Sequence, residues 1–347
     1  MDYQKITDAL VQELRKNKDN WQERFAGYAD TISKHKSYIN RVEKHIKCIF
    51  PLKLYLNLSE NTSIEEEKDI PFQIRYKGNK IGCLVANKQK AIFHPNKKWN
   101  DEPIVKDLDA FYDLDGNDWS EEFQTNLLKV VDKDYSKYGE HQFESFLLDD
   151  FAQERYEDKI LPYSTPVVWA TKQGSCFQMP TTWKGSDFSK QVFTEKDLIR
   201  KIEDGSFWAA EGKGGGIDIL LRRTLGSKVI ISIMELKNPE HKYKPDRVIL
   251  QALAYAVFIR ELIRTDSSNL WWKMFINGGQ TPVEKKLNIE AVVTLSTDQG
   301  VPPFAGTKVK IGDDEISLEY LFLKKDNYSW KKQNTSMRFR NKAKTRR

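Results

Sequence analysis

The chain has 347 residues, of which 39% are apolar and 31% charged, enough for a buried core beneath a solvated surface and for two domains. No apolar run is long enough to span a bilayer, and Met1-Asp2-Tyr3-Gln4-Lys5 lacks the apolar stretch of a signal peptide, so the sequence predicts a cytoplasmic protein with no membrane association. Cys48, Cys83 and Cys176 form no Cys-x-x-Cys pair, which argues against a zinc ribbon or a disulfide framework and for thiols in a reducing compartment.

Residues 4–50 are predicted helical. Ile6, Leu10 and Leu14, then Trp21, Phe25, Tyr28 and Ile32, then Ile39, Val42 and Ile46, recur at helical spacing, with no proline before Pro51. Leu52 to Leu58 reads as a short strand, Ser59 to Asp69 as a loop, and Phe72–Tyr76 with Ile81–Val85 as a hairpin turning at Lys77-Gly78-Asn79. Asp113-Leu114-Asp115-Gly116 with Glu122 imitates a calcium loop. The imitation fails at Phe111 and Asp118, so a loop followed by a helix capped by Ser120 is the better account. A second helix is expected over about 140–159, and mixed irregular or β structure over 160–193.

From Phe193 the pattern changes. A short helix through Leu198, Ile199 and Ile202 stops at Gly205; Phe207–Ala210, Ile217–Leu221 and Val229–Met234 read as strands, the last nearly all apolar and therefore central. Residues 246–264 form a long helix, apolar over much of its circumference, and Ile289–Leu295 a further strand. The order helix, three strands, helix, strand predicts an α/β fold with a mixed sheet flanked by helices.

Charge is unevenly placed. Residues 324–347 carry ten Lys/Arg against Asp326 alone; that +9 exceeds the whole-chain +6 and leaves residues 1–323 at −3. Lys331, Lys332, Arg338 and Arg340 lie in this segment, which reads either as a phosphate-binding tail or as a solubilising end.

Glu-x-Lys occurs six times, and only at Glu235 does it close a long apolar strand with an acid, Asp218, seventeen residues upstream on a neighbouring strand. A turn near Gly226 lets Asp218 and Glu235 face each other, and strand alternation sets Glu235 and Lys237 on one side. Two carboxylates beside an ammonium are costly unless a cation compensates them, and hard oxygen donors suit Mg²⁺, with Mn²⁺ as a substitute. Such an ion polarises a phosphate and activates water, while the lysine orients that water and offsets negative charge. Taken one by one, these residues also read as a turn acid and a surface pair. Gly212-Lys213-Gly214-Gly215-Gly216 lacks the Ser or Thr of a P-loop and reads first as a flexible turn. Trp271 and Trp272 read as core or interface residues.

The segments Gly216-Ile217-Asp218 and Met234-Glu235-Leu236-Lys237-Asn238 resemble the core motif of the PD-(D/E)XK nuclease superfamily, with Ile217 in place of the proline. Gln251 and Tyr255 share a helix face and resemble the Gln-x-x-x-Tyr motif of the RecB-like branch. The resemblance covers about 193–300, roughly a third of the chain. It implies a restriction-endonuclease-like sheet in a domain over 136–323, with 1–135 an accessory region of helices plus a β-hairpin and 324–347 a basic tail. It implies a Mg²⁺-dependent deoxyribonuclease in which Asp218, Glu235 and the Leu236 carbonyl hold the metal and Lys237 positions the water. Gln251 would reach the active site and Tyr255 the nucleic-acid backbone, and either Glu195 or Glu144 would add a helix-borne carboxylate. Lys242, Lys244 and Arg247 would touch phosphates or serve as helix-entry surface charges. By analogy with the family, restriction or anti-phage defence is the biological setting, with a protein partner or a second copy engaged through the N-terminal region. The rivals are a catalytically inactive DNA-binding or assembly subunit and an RNA-directed nuclease.

Overall fold

A computed structural model describes residues 1–49, 51–58, 64, 68–98, 104–131, 140–152, 161–162, 177–190, 193–209, 214–225, 228–237, 243–265, 269–275, 282–295, 300–326 and 329–337. Two long helices open the chain, α1 (Tyr3–Lys16) and α2 (Lys18–Glu43). Four strands follow, β1 (Leu52–Leu56), β2 (Ile70–Tyr76), β3 (Asn79–Ala86) and β4 (Ala91–Pro95), then α3 (Leu108–Tyr112), α4 (Glu121–Val131) and α5 (Glu140–Ala152). Beyond them lie β5 (Leu161–Pro162), α6 (Gly185–Lys190), α7 (Glu195–Glu203), β6 (Ile219–Leu225), β7 (Lys228–Leu236), α8 (Pro245–Thr265), α9 (Leu270–Phe275) and β8 (Asn288–Leu295). β9 (Lys308–Ile311), β10 (Asp314–Asp326) and β11 (Ser329–Thr335) end the described chain.

Strands β1 to β4 form a four-stranded antiparallel meander: the expected strand after Pro51 and the expected hairpin pair side by side, and β4 is added at the edge. Alternation explains its two faces: Ile70, Phe72, Ile74 and Tyr76 are buried, while Pro71, Gln73 and Arg75 between them point the other way. The hydroxyl of Ser120 accepts the N–H of Phe123 at 3.0 Å, capping α4 as its sequence predicts. The residues resembling a calcium loop form α3 and the turn after it, and Asp115 there binds His94 and Lys97.

The central sheet runs β11-β10-β8-β7-β6-β5, with β9 beside β10. β8 lies parallel to both β7 and β10, and β6 is antiparallel to β7 and to β5. α8 carries the chain from β7 to β8, as a parallel connection requires. One side of this sheet, through Leu220, Ile231 and Ile233, joins the core around α8. The other, through Ile219, Leu221, Met234 and Leu236, packs on Phe143, Leu147 and Leu148 of α5. The order helix, three strands, helix, strand is not kept: after the helix at 195–203 only β6 and β7 precede α8, and of the expected strand Phe207–Ala210 the described residues 207–209 give a bridge between Trp208 and Trp183, while β5 comes earlier, after α5 and before α6 and α7.

Two other expectations are corrected. α1 packs on α7, α8 and β9, and α2 on α8 and α9, so the first 43 residues belong to the layer beside the central sheet and share one continuous core with β1–β4. Residues 324–326 and 329–335 are not a tail: they finish β10 and form β11, the edge strand, and Met337 is buried against the α5 side. Lysines on an edge strand discourage pairing with other chains, which gives Lys331 and Lys332 a second explanation. Arg338 and Arg340 lie outside the described residues. Trp271 and Trp272 are core residues, and the indole of Trp271 donates to the Phe25 carbonyl at 3.0 Å. No helix among the described residues is long and apolar enough to cross a membrane.

Candidate active site

β6 and β7 pair with Ile219 opposite Met234, and one step further along this ladder Asp218 stands across from Glu235. The main-chain N–H of Leu236 donates to Asp218 Oδ2 at 2.8 Å. Glu235 shares the side of β7 that holds Ile231 and Ile233, so it faces α8, while Met234 and Leu236 fill the opposite core. Lys237 Nζ donates to Glu235 Oε1 at 2.5 Å, and both side chains are buried. The structure thereby brings together Asp218, Glu235 and Lys237, and lays the Leu236 peptide against Asp218.

Burial raises the Asp218 carboxyl well above its ordinary range, and the charges of Glu235, Glu140 and Glu144 push the same way. Burial also moves Glu235 up, to about 7, against the pull of Lys237. Burial alone would lower Lys237, but Glu235 and Asp218 outweigh it and hold the ammonium above its usual range. Lys237 therefore keeps its proton at neutral pH, donating hydrogen bonds and positive charge rather than accepting a proton.

Glu235 Oε2 is buried and has no hydrogen-bond partner among the described residues. An unsatisfied carboxylate oxygen beside a second raised carboxylate is the environment a divalent cation relieves, and the donors are the hard oxygens that Mg²⁺ and Mn²⁺ prefer. The residues fit such an ion, with two carboxylates as its protein ligands: among the described residues no group of three His, Cys, Asp or Glu is arranged to hold a metal.

Of the two helix-borne acids considered from sequence, Glu195 is turned elsewhere. Its Oε2 accepts the main-chain N–H of Asp2 at 2.6 Å and its Oε1 lies 3.8 Å from Lys5 Nζ, joining α7 to the start of α1. Glu144, on α5, is buried and its charge reaches Asp218. Glu140, one turn earlier, weighs on Asp218 more strongly and was not singled out from the sequence.

Gln251 and Tyr255 share one face of α8, and Gln251 Nε2 donates to the Tyr255 hydroxyl at 3.3 Å. Ser189 Oγ in turn donates to Gln251 Oε1 at 3.1 Å. Tyr255 is 1% exposed, so its expected contact with a nucleic-acid backbone is corrected: the ring is an internal anchor. A Cβ on Gly215 would come within 2.3 Å of the Tyr255 oxygen, and one on Gly185 within 1.8 Å. The glycines at 214–216 are thus spacers. They let a ribbon, in which Thr181 N–H donates to the Gly215 carbonyl and Gly215 N–H to that of Trp183, close over Tyr255 just before Asp218.

Lys244 is exposed and Arg247 half-buried at the start of α8. Lys242 lies outside the described residues, and of Lys331 and Lys332 only the backbone on β11 is described. Sequence reasoning also missed Arg75, Tyr55 and Gln178, which approach Glu144 and Gly216 from the N-terminal sheet and the ribbon. The signal available was Arg75 alone between buried Ile74 and Tyr76.

No protein-family model, no curated protein and no solved structure matches the chain, so the reading of this site rests on its residues and their geometry.

Proposed function

We propose that the central sheet is restriction-endonuclease-like and carries a Mg²⁺-dependent phosphodiesterase site acting on DNA. One observation carries the reading: Asp218 and Glu235 meet at adjacent strand ends, with a partnerless Glu235 oxygen on one side and the Lys237 ammonium on the other. The choice of DNA, and a role in restriction or anti-phage defence, follow from the resemblance of these segments to PD-(D/E)XK nucleases.

When bound, a divalent ion would polarise the phosphate and supply an activated water. Asp218 and Glu235 would hold it, each by the oxygen not already committed to the Leu236 N–H or to Lys237. Lys237, whose ammonium donates to Glu235, would turn its remaining donors toward the attacking water and the negative charge growing on the phosphate. Gln251 and Tyr255 fix the ribbon that delivers Asp218. α5 supports the same reading, because it carries Glu140 and Glu144, whose charges reach Asp218.

Plasmid, linear duplex and RNA substrates incubated with Mg²⁺ or Mn²⁺ test it. Wild type should cleave DNA, chelation should stop it, and Lys237→Ala should lower kcat by roughly 10²-fold or more. Equal cleavage by wild type and Lys237→Ala removes the assignment, and turnover of RNA alone replaces DNA as substrate.

A further inference from the structure

The outer face of the N-terminal sheet meets the catalytic ribbon at Arg75. The Arg75 guanidinium stacks over the Tyr55 ring with its carbon 3.9 Å from the centroid. Its Nη2 donates to Gln178 Oε1 at 3.0 Å, and its Nη1 stands 4.0 Å from Glu144 Oε1, the oxygen that the Tyr55 hydroxyl approaches at 3.5 Å. Gln178 continues the path: its side chain fills the space a Cβ on Gly216 would need, 3.0 Å away, two residues before Asp218. The neighbouring main chain is fixed too, since Ile217 N–H donates to the Met179 carbonyl at 2.9 Å. A second contact holds the same junction. Gly78, in the β2–β3 turn, lies so close to the His141 carbonyl that a Cβ would sit 2.0 Å from it, which seats the hairpin on the first turn of α5 between Glu140 and Glu144.

We infer that Arg75 is a positioning residue for the reaction: through Gln178 it sets Gly216 and hence Asp218, and through Glu144 it sets the α5 acids, making the N-terminal sheet part of the catalytic unit. The inference rests on the phosphodiesterase reading for its kinetic consequence but not for the linkage itself. The guanidinium suits this task because its planar fork serves two partners while its face rests on an aromatic ring; a lysine offers one charged point. The side chain is only 12% exposed, and its Nε is enclosed without a hydrogen-bond partner among the described residues, so it acts on its neighbours rather than on a substrate strand.

The full chain is compared as wild type, Arg75→Ala, Arg75→Lys and Gln178→Ala. Gln178→Ala cuts the same path while leaving Arg75 on Tyr55, so it answers if Arg75→Ala fails to fold. Amide hydrogen exchange at 214–218 should accelerate by at least about tenfold in both alanine variants, with no comparable change in β6 and β7. Plasmid cleavage should lose at least about tenfold in kcat, with KM within about threefold of wild type and an unchanged salt dependence of DNA binding, and Arg75→Lys should recover part of the loss. Unchanged exchange at 214–218 overturns the inference. A raised KM with a shallower salt slope at constant kcat also overturns it, because that pattern marks a direct phosphate contact. If wild type cleaves nothing, the phosphodiesterase reading falls and the exchange result alone decides the linkage.

Discussion

Asp218 takes the N–H of Leu236 across the gap between two strand ends, 2.8 Å from nitrogen to oxygen. That bond uses the first amide past Glu235 to aim the carboxylate of the neighbouring strand. Asp218 is therefore held by backbone and Glu235 by Lys237 before any ligand arrives, and the charge of Glu235 adds to burial in raising Asp218.

The pH behaviour follows from the burial of both carboxyls, to which the charge of Glu235 adds at Asp218. Glu235 titrates at about 7 in the fold against an ordinary 4.5, and Asp218 is displaced in the same direction. Between those values the folded protein holds protons that the unfolded chain has lost. The contribution to stability is therefore complete below about 4.5 and falls as pH rises towards 7. Asp218→Asn keeps an acceptor for Leu236 and removes the like charge. In EDTA at pH 8 it should stabilise the protein by roughly 1–2 kcal/mol in urea denaturation. Mg²⁺ should raise the wild-type Tm more at pH 8 than at pH 5.5, since protons compete for the same oxygens, and should not raise that of Asp218→Asn. A larger shift at the lower pH would contradict the assignment of the carboxylates as ligands.

The close approach of Gly215 and Gly185 to Tyr255 makes a rescue experiment available. Gly215→Ala drives a methyl against the hydroxyl oxygen and should cost about 1–3 kcal/mol. Tyr255→Phe loses the hydroxyl's bonds, that with Gln251 among them, at about 1 kcal/mol each. In the double variant the hydroxyl is gone and the nearest ring carbon is 3.4 Å from the new methyl, so Tyr255→Phe should relieve much of the Gly215→Ala penalty. Gly185→Ala should not be relieved, because there the ring carbon itself is 2.4 Å away. Additive losses in the Gly215–Tyr255 cycle would show that the ribbon is not seated on that hydroxyl.

Truncation separates the sheet edge from the basic end. Removal of 338–347 leaves β11 and Met337 in place and should preserve the melting temperature. If the end binds phosphates, the same deletion weakens DNA binding and flattens its salt dependence. Removal of 324–347 strips β11, the end of β10 and the buried Met337, and should abolish cooperative unfolding. A cooperative, full-length-like melt of the shorter chain would refute the edge-strand placement.

Much of the site was legible because it depends on local pattern. An apolar strand ending in Glu235-Leu236-Lys237, an acid opening the preceding strand and a Gln251/Tyr255 helix are all readable from alternation and spacing. What escaped depends on contacts across the chain. Glu195 or Glu144 is as far as the sequence goes, because it cannot show that Glu195 closes on Asp2 while the charges of Glu144 and Glu140 on α5 reach Asp218. Tyr255 is expected from sequence at the nucleic-acid backbone because periodicity cannot show that the ribbon before Asp218 folds over it. The lysines of 324–332 read as a tail because net charge was weighed above the alternation of Ile316, Leu318, Tyr320 and Phe322 that leads into them.

The side chain of Gln4 pairs with Lys310 as a strand would, giving its Nε2 hydrogen to the Lys310 carbonyl and taking the Lys310 N–H on its Oε1, each at 2.9 Å. During synthesis α1 leaves the ribosome long before the β9 backbone it grips, which is translated some three hundred residues later. Its apolar side must therefore wait, exposed, while most of the chain is made, a window in which a chaperone would be of use.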